Sequence, residues 1–308
     1  MSAWRILTGD TLALLPTLDA GSVQTCITSP PYFGLRDYGH DGQIGLESTP
    51  DAYVSKLVAV FREVRRVLRD DGTLWLNLGD SYAGRGRTGG TASFQGSASS
   101  IGCKGWVPPA PGFKDKDLYG IPWRVAFALQ SDGWYLRQDI IWHKPNPMPE
   151  SVRDRCTKAH EYVFLLAKSE RYYFDTDAMQ ENAVYPAGTK AAKGSAKRSS
   201  AEGVNSRPPE YAIYTGKRNR RSVWTVNTRP FADAHFATFP PDLVLPMVLA
   251  GSREGDTVLD PFNGAGTTGL VAIQQGRQYV GCELNPEYVA MSERRLGAVT
   301  PLFQEVSA

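Results

Sequence analysis

The chain has 308 residues, a formal net charge of +2 and four cysteines. That length supports one large domain or a domain carrying a smaller insert, and the near-neutral balance excludes a basic field over the whole surface. Cys26, Cys103, Cys156 and Cys282 form no Cys-x-x-Cys pair, so no metal site and no disulfide framework is expected. No long uncharged apolar run occurs, and MSAWRILTGD lacks a basic start with an apolar stretch behind it. No membrane span and no signal peptide is therefore expected, and a cytoplasmic location fits.

In chain order, strands are expected at Trp4–Leu7 and Val23–Thr28, a helix at Ala52–Leu68, a strand at Thr73–Leu78 and a helix at Pro122–Gln130. Two strands, Leu136–His143 and Tyr162–Ala167, come next. Helix Pro241–Leu249, strand Thr257–Asp260, helix Thr267–Gln274, strand Gln278–Glu283 and helix Pro286–Leu296 complete the series. Ala52–Leu68 sets Val54, Leu57, Val58, Phe61, Val64, Val67 and Leu68 on one stripe at helical spacing. Strand alternating with helix predicts an α/β fold with a mostly parallel sheet covered on both faces. Leu136–His143 and Tyr162–Ala167 have no helical pattern between them and read as an antiparallel hairpin at one edge.

Two polar stretches break the rhythm. Residues 84–116, rich in Gly, Ser and Pro, read as a flexible loop or a disordered insertion within the main domain. Residues 186–222 hold nine cations, among them Lys197, Arg198, Lys217, Arg218, Arg220 and Arg221, against Glu202 and Glu210, a net +7. The remainder of the chain is therefore net acidic.

Near the C-terminus, TVLDPFNGAGTTG (257–269) reads as a strand, a glycine turn and a helix. Gly264 and Gly266 let the backbone turn sharply and approach a ligand. Asp260 stands at the strand's C-terminal end, where open α/β sheets bind ligands, and a carboxylate there suits an ammonium group. Glu283 ends the next strand, where an acidic residue holds ribose hydroxyls. The glycines also match the dinucleotide fingerprint, so a nicotinamide or flavin enzyme is a rival reading. That reading requires an anionic pyrophosphate at the helix N-terminus, and Asp260 just ahead of the turn fits a zwitterionic ligand better.

Near the N-terminus, Ser29-Pro30-Pro31-Tyr32 ends an early strand. The prolines remove two backbone donors and stiffen the chain, leaving carbonyls there for an outside donor. A base amino nitrogen is a poor nucleophile because its lone pair is delocalised into the ring. Two acceptors on its hydrogens, Ser29 through its hydroxyl and Pro30 through its carbonyl, draw it toward tetrahedral geometry. Tyr32 offers a flat face to the base.

These segments resemble the β class of DNA amino-methyltransferases, which act on N4 of cytosine or N6 of adenine. Ser-Pro-Pro-Tyr is similar to the family's catalytic tetrapeptide, and Asp260-Pro261-Phe262 with its glycine turn to its S-adenosylmethionine (AdoMet) motif. The catalytic motif precedes the AdoMet motif, as in that class. The resemblance implies a Rossmann-like, circularly permuted methyltransferase fold, formed by 1–170 and 226–300, with a target-recognition region at 171–225. It implies an AdoMet site built from Asp10, Thr28, His235, Phe236, Thr238, Asp260, Pro261, Phe262, Gly264, Gly266, Thr267, Thr268, Glu283, Leu284 and Asn285.

It also implies duplex DNA as substrate, a homodimer, and a restriction endonuclease as a companion activity. Lys144 and Asn146 are expected to border an extruded base, and Lys197, Arg198, Lys217, Arg218, Arg220 and Arg221 to meet DNA. Serine at position 29 leans toward cytosine, since adenine enzymes of the family more often carry aspartate there; adenine stays open. So do an RNA or protein-amide substrate and a catalytically idle DNA-binding module. Ring-carbon methylation needs a thiolate after proline, and no Pro-Cys pair occurs.

Overall fold

A computed structural model of the protein describes residues 3–35, 39–40, 42–84, 109–189, 215–228 and 239–299. In chain order the elements are β1 (Trp4–Thr8), a short α1 (Thr11–Leu14), β2 (Val23–Thr28), α2 (Pro50–Val67), β3 (Leu68–Leu78), α3 (Ile121–Ser131), β4 (Tyr135–His143) and β5 (His160–Ala167). They continue with β6 (Gln180–Asn182), β7 (Lys217–Asn219), β8 (Val223–Thr225), α4 (Pro241–Gly251), β9 (Thr257–Asp260), α5 (Thr267–Gln274), β10 (Gln278–Glu283) and α6 (Pro286–Gly297). No helix among the described residues is long and apolar enough to cross a membrane.

Eight of these strands form one sheet in the order β1-β10-β9-β2-β3-β5-β4-β8. Only β5 runs against its neighbours, pairing antiparallel with both β3 and β4. The expected hairpin is therefore present, but it lies one strand in from the edge. Val223–Thr225 pairs parallel with β4 outside it, the tripeptide being too short to show alternation in the sequence.

Helix α2 starts two residues before the expected Ala52. Thr49 accepts the Ala52 amide at 3.1 Å and Pro50 takes the first turn, where its missing N–H costs nothing. Its buried face is Tyr53, Leu57, Val60, Phe61, Val64 and Val67, while Val54 and Val58 are only half-buried. It packs on Leu74, Leu76 and Leu78 of β3 and on Cys26 of β2. Trp75, between those leucines, points to the opposite face, as strand alternation demands, and its ring stacks on Phe174 at 6.2 Å.

The chain divides into a larger unit, Met1–Asp175 with Ser222–Ala308, and a smaller one, Thr176–Arg221. The larger unit thus takes residues 171–175 and 222–225 from the stretch expected to form a separate region. Most of the expected 84–116 loop lies outside the described residues. Its described end is tied down instead: the Lys116 amide donates to the Ala83 carbonyl at 2.9 Å, and the Phe113 and Tyr119 rings meet edge-on at 4.8 Å.

Leu259 of β9 is fully buried opposite Cys26 of β2, at the centre of the sheet. Leu259→Ala should lower unfolding free energy by about 2–5 kcal/mol, read as a shifted urea midpoint with unchanged slope.

Candidate active site

The sheet places β9 beside β2, so the ends of two strands 232 residues apart in sequence lie together. The Thr28 hydroxyl donates to Asp260 Oδ1 at 2.6 Å, and the Phe262 amide donates to the same oxygen at 3.0 Å. The Thr268 hydroxyl reaches Asp260 Oδ2 at 2.9 Å and the Ile27 carbonyl at 3.2 Å. Asp260 is only 2 % exposed. Burial pushes its carboxyl up to about 6, with the three hydrogen bonds opposing the rise and the Glu283 charge adding to it. A buried carboxylate met by neutral donors and a second carboxylate is a place for a cation.

The turn after β9 needs its glycines: Gly264 and Gly266 have φ of 50° and 73°, and a Cβ on Gly266 would lie 2.8 Å from Ser292. Asn263 braces it, donating to the Gly264 carbonyl and Ser292 Oγ and accepting from Tyr279 Oη. Glu283 Oε2 accepts the Gly264 amide at 2.7 Å and Oε1 the Asn285 amide at 2.9 Å. Burial raises the Glu283 carboxyl, against those amide bonds. Asp10 lies two residues past the end of β1, caps α1 by accepting the Leu12 amide at 3.0 Å, and is exposed at the same edge, since Thr8 pairs with Glu283. Pro261 is buried and Phe262 and Leu284 are half-buried beside the turn.

Two expected cofactor residues also brace the frame. Thr267 Oγ1 accepts from Arg295 at 3.0 Å, and Asn285 caps α6 by accepting the Glu287 amide at 2.8 Å. His235, Phe236 and Thr238 lie outside the described residues.

Ser29-Pro30-Pro31-Tyr32 leaves the end of β2 immediately beside this clasp. The Pro31 carbonyl accepts from Tyr53 Oη at 2.8 Å, which anchors the segment to α2. The Tyr32 hydroxyl donates to Glu161 Oε2 on β5 at 2.6 Å and accepts from Asn77 Nδ2 on β3 at 2.8 Å and from Ser29 Oγ at 3.3 Å. Its ring lies on Gly79, where any Cβ would sit 2.5 Å away. Burial, then the Glu161 charge, pushes the Tyr32 phenol well up, so it stays neutral.

Lys144 closes the group by ion-pairing with Glu161 Oε1 and lies 4.2 Å from the Trp142 ring centroid. Burial opposes ionisation of Glu161, yet the Lys144 ammonium and the Lys144, Tyr32 and Asn77 hydrogen bonds outweigh it and hold the carboxyl below its ordinary range. Lys144 and Asn146 were expected to border a base. In the structure Lys144 pairs with Glu161, and Asn146 uses both ends of its amide on the Thr228 backbone, at 3.1 and 3.0 Å.

Glu161, Asn77 and Tyr53 went unread in the sequence. They lie far from the tetrapeptide along the chain, and the only local sign was a charged residue in the apolar strand HEYVFLLA.

In the smaller unit, β6 and β7 form an antiparallel pair. Glu181 accepts from Arg218 at 2.8 Å and Arg221 at 2.7 Å, and Lys217 donates to Asn182 at 2.9 Å. Burial lowers the Arg220 guanidinium, against the pull of Glu181. Lys197 and Arg198 lie outside the described residues.

The profile of a family described as DNA methylase, covering N6 and N4 methyltransferases, matches residues 23–294. The chain belongs to this DNA methylase family. It is 51% identical to the type II methyltransferase M.Cfr9I of Citrobacter freundii over 288 residues, 94% of this chain and 86% of that one. It is 47% identical to the type II methyltransferase M.SmaI of Serratia marcescens, over 95% of this chain and 90% of that one.

Among solved structures, the fold is similar to PvuII DNA methyltransferase (cytosine-N4-specific), with a TM-score of 0.63 and 21% identity over 96% of this chain and 86% of that one. It is also similar to a Thermus thermophilus protein solved with S-adenosyl-L-methionine, with a TM-score of 0.61 and 23% identity over 97% of this chain and 95% of that one.

Membership makes this chain an AdoMet-dependent DNA methyltransferase. The donor set fits that cofactor. Asp10, Asp260 and Glu283 present three carboxylates at neighbouring strand ends, which repel a pyrophosphate and suit an ammonium, a sulfonium and ribose hydroxyls. Cys26 and Cys282 are buried beside the site. Burial and the Asp260 charge push both thiols up, Cys282 to about 12, so neither supplies the thiolate that ring-carbon methylation needs.

Binding of a cationic ammonium favours ionised Asp260. AdoMet affinity should therefore fall as pH drops through about 6, and binding near that pH should release part of a proton. Calorimetry in buffers of different ionisation enthalpy checks this, and Asp260→Asn should abolish the proton release and weaken binding at least about tenfold.

Proposed function

We propose that the enzyme methylates the N4 amino nitrogen of cytosine in duplex DNA, as the modification half of a type II restriction-modification pair, and works as a homodimer. The observation that carries this reading is that Thr28, whose hydroxyl donates to Asp260, is followed directly by Ser29 and Pro30 at the end of β2. Pro31's carbonyl is already taken by Tyr53, which leaves Pro30's as the partner of Ser29. AdoMet supplies the methyl group as an electrophile. Ser29 Oγ and the Pro30 carbonyl accept hydrogen bonds from the two amine hydrogens, which turns the nitrogen lone pair toward that methyl group; one amine proton is released to solvent as the N–C bond forms. Holding the two reactants in line provides most of the acceleration. The free face of Tyr32 stacks on a base extruded from the duplex. Stacking of about 1–3 kcal/mol offsets the few kcal/mol of unstacking.

Serine at 29 favours cytosine over adenine; an N6-adenine enzyme would use the same fold and acceptors. The relatives' type II names support the restriction-modification setting. Residues 1–170 and 226–300 form the catalytic domain in this reading, and target recognition lies within 171–225. Lys217, Arg218, Arg220 and Arg221 neutralise phosphates there; such contacts position the protein without specifying sequence.

Labelled AdoMet with mixed-sequence duplex DNA, digested to nucleosides and read by mass spectrometry, should yield N4-methylcytosine. N6-methyladenine would move the target to adenine, and no methylated nucleoside would refute the reading. Ser29→Ala and Tyr32→Ala should each lower the transfer rate at least about tenfold with AdoMet affinity retained. For DNA binding, Lys217→Ala should reduce the slope of log K against log salt by about 0.9 and weaken all sequences alike; an unchanged slope would remove Lys217 from the interface.

A further inference from the structure

Hydroxyl groups both donate and accept, so a serine meant to accept from an amine needs something to hold its own proton away. Ser29 Oγ donates to Tyr32 Oη at 3.3 Å, and Tyr32 Oη donates to Glu161 Oε2 at 2.6 Å. An ionised carboxylate only accepts. Glu161 therefore obliges Tyr32 to donate toward it, and the Tyr32 oxygen, already accepting from Asn77 at 2.8 Å, completes its set by accepting from Ser29.

We infer that Glu161 is a positioning residue that sets the direction of the Ser29–Tyr32–Glu161 hydrogen-bond chain, and so holds Ser29 as an acceptor toward the substrate amine. The inference rests on the amine reading of Ser29 given above. Three further features agree with it. Lys144 keeps the buried carboxylate charged. Asn77 Nδ2 donates to Glu161 Oε2 at 3.0 Å, which turns the amide so that its buried Oδ1 has no hydrogen-bond partner among the described residues. Leaving an acceptor unsatisfied has a cost, and the same Nδ2 also donates to Ser29 Oγ at 3.4 Å, so the amide faces all three members of the chain. Gly79 lets the Tyr32 ring lie close enough to the sheet for its hydroxyl to reach β3 and β5.

Glu161→Gln is isosteric but reverses the chain. The Lys144 ammonium takes the amide oxygen and leaves the amide N–H donors toward Tyr32. Tyr32 then donates to Ser29 and drives the serine proton at the amine. Tyr32→Phe keeps the ring and removes the link.

The test is single-turnover methyl transfer onto saturating duplex DNA, with AdoMet affinity by calorimetry, for E161Q, Y32F and the double variant. E161Q should slow transfer at least about tenfold and Y32F several-fold. The double variant should be no slower than E161Q, because Glu161 acts through the Tyr32 hydroxyl. AdoMet affinity should stay within about twofold throughout. A wild-type rate for E161Q or for Y32F alone overturns the inference, as do losses that multiply in the double variant. Lost AdoMet affinity in E161Q would make Glu161 a structural residue and also overturn it. Absence of an amino-methylated nucleoside from the wild-type reaction is a different failure, that of the amine reading itself.

Discussion

The structure depends on a carboxylate that has almost no water. Asp260 ends β9 in the middle of the sheet, and its buried oxygens must be satisfied by protein. Thr28 from the end of β2 and Thr268 from the first turn of α5 do this, so one side chain fastens the tetrapeptide strand to the glycine turn. Neither segment can shift without leaving a charge unpaired. The β9–β2 register, with Cys26 opposite Leu259, brings the two ends level, and the apolar packing of α2 on β3 and β2 holds that register.

Two buried carboxylates are treated in opposite ways, and the contrast divides the labour of the site. Asp260 receives only neutral donors, and burial raises it toward the protonated form. Glu161 receives an ammonium as well as neutral donors and stays ionised. The first lacks a positive partner among the described residues, the place that we propose for a methionine ammonium. The second already has its cation and turns its remaining capacity to the Tyr32 hydroxyl. Different neighbours thus suit one carboxylate to the cation-binding role proposed for it and the other to an orienting role.

Much of the architecture was legible from short-range pattern. The strand at Val23–Thr28 matches its expected bounds, as do Thr257–Asp260 and Gln278–Glu283, because apolar runs bounded by turn residues say where a buried strand begins and stops. Boundaries were misread where a cap or a ladder extended an element beyond its apolar pattern. Thr49 and Pro50 start α2 early, and β3 begins at Leu68, which the expected helix had claimed, and runs on through the polar Arg69–Gly72. The Val223–Thr225 strand left no periodic trace.

The sequence by itself determined which chemistry is available. Acceptors, a flat ring, a glycine turn and acidic strand ends are local properties of residue type and spacing, and motif order along the chain identified the permuted class. The tertiary structure alone decided which groups those residues meet. Lys144 and Asn146 look like ligands for DNA in a sequence and are bound to Glu161 and Thr228 in the fold. Glu161 looks like an incidental charge in β5 and stands at the end of the serine–tyrosine chain. The physical reason is that hydrogen-bond direction and carboxylate ionisation are set by neighbours across the sheet. Those neighbours lie 17 to 232 residues away along the chain, beyond the reach of helix or strand periodicity.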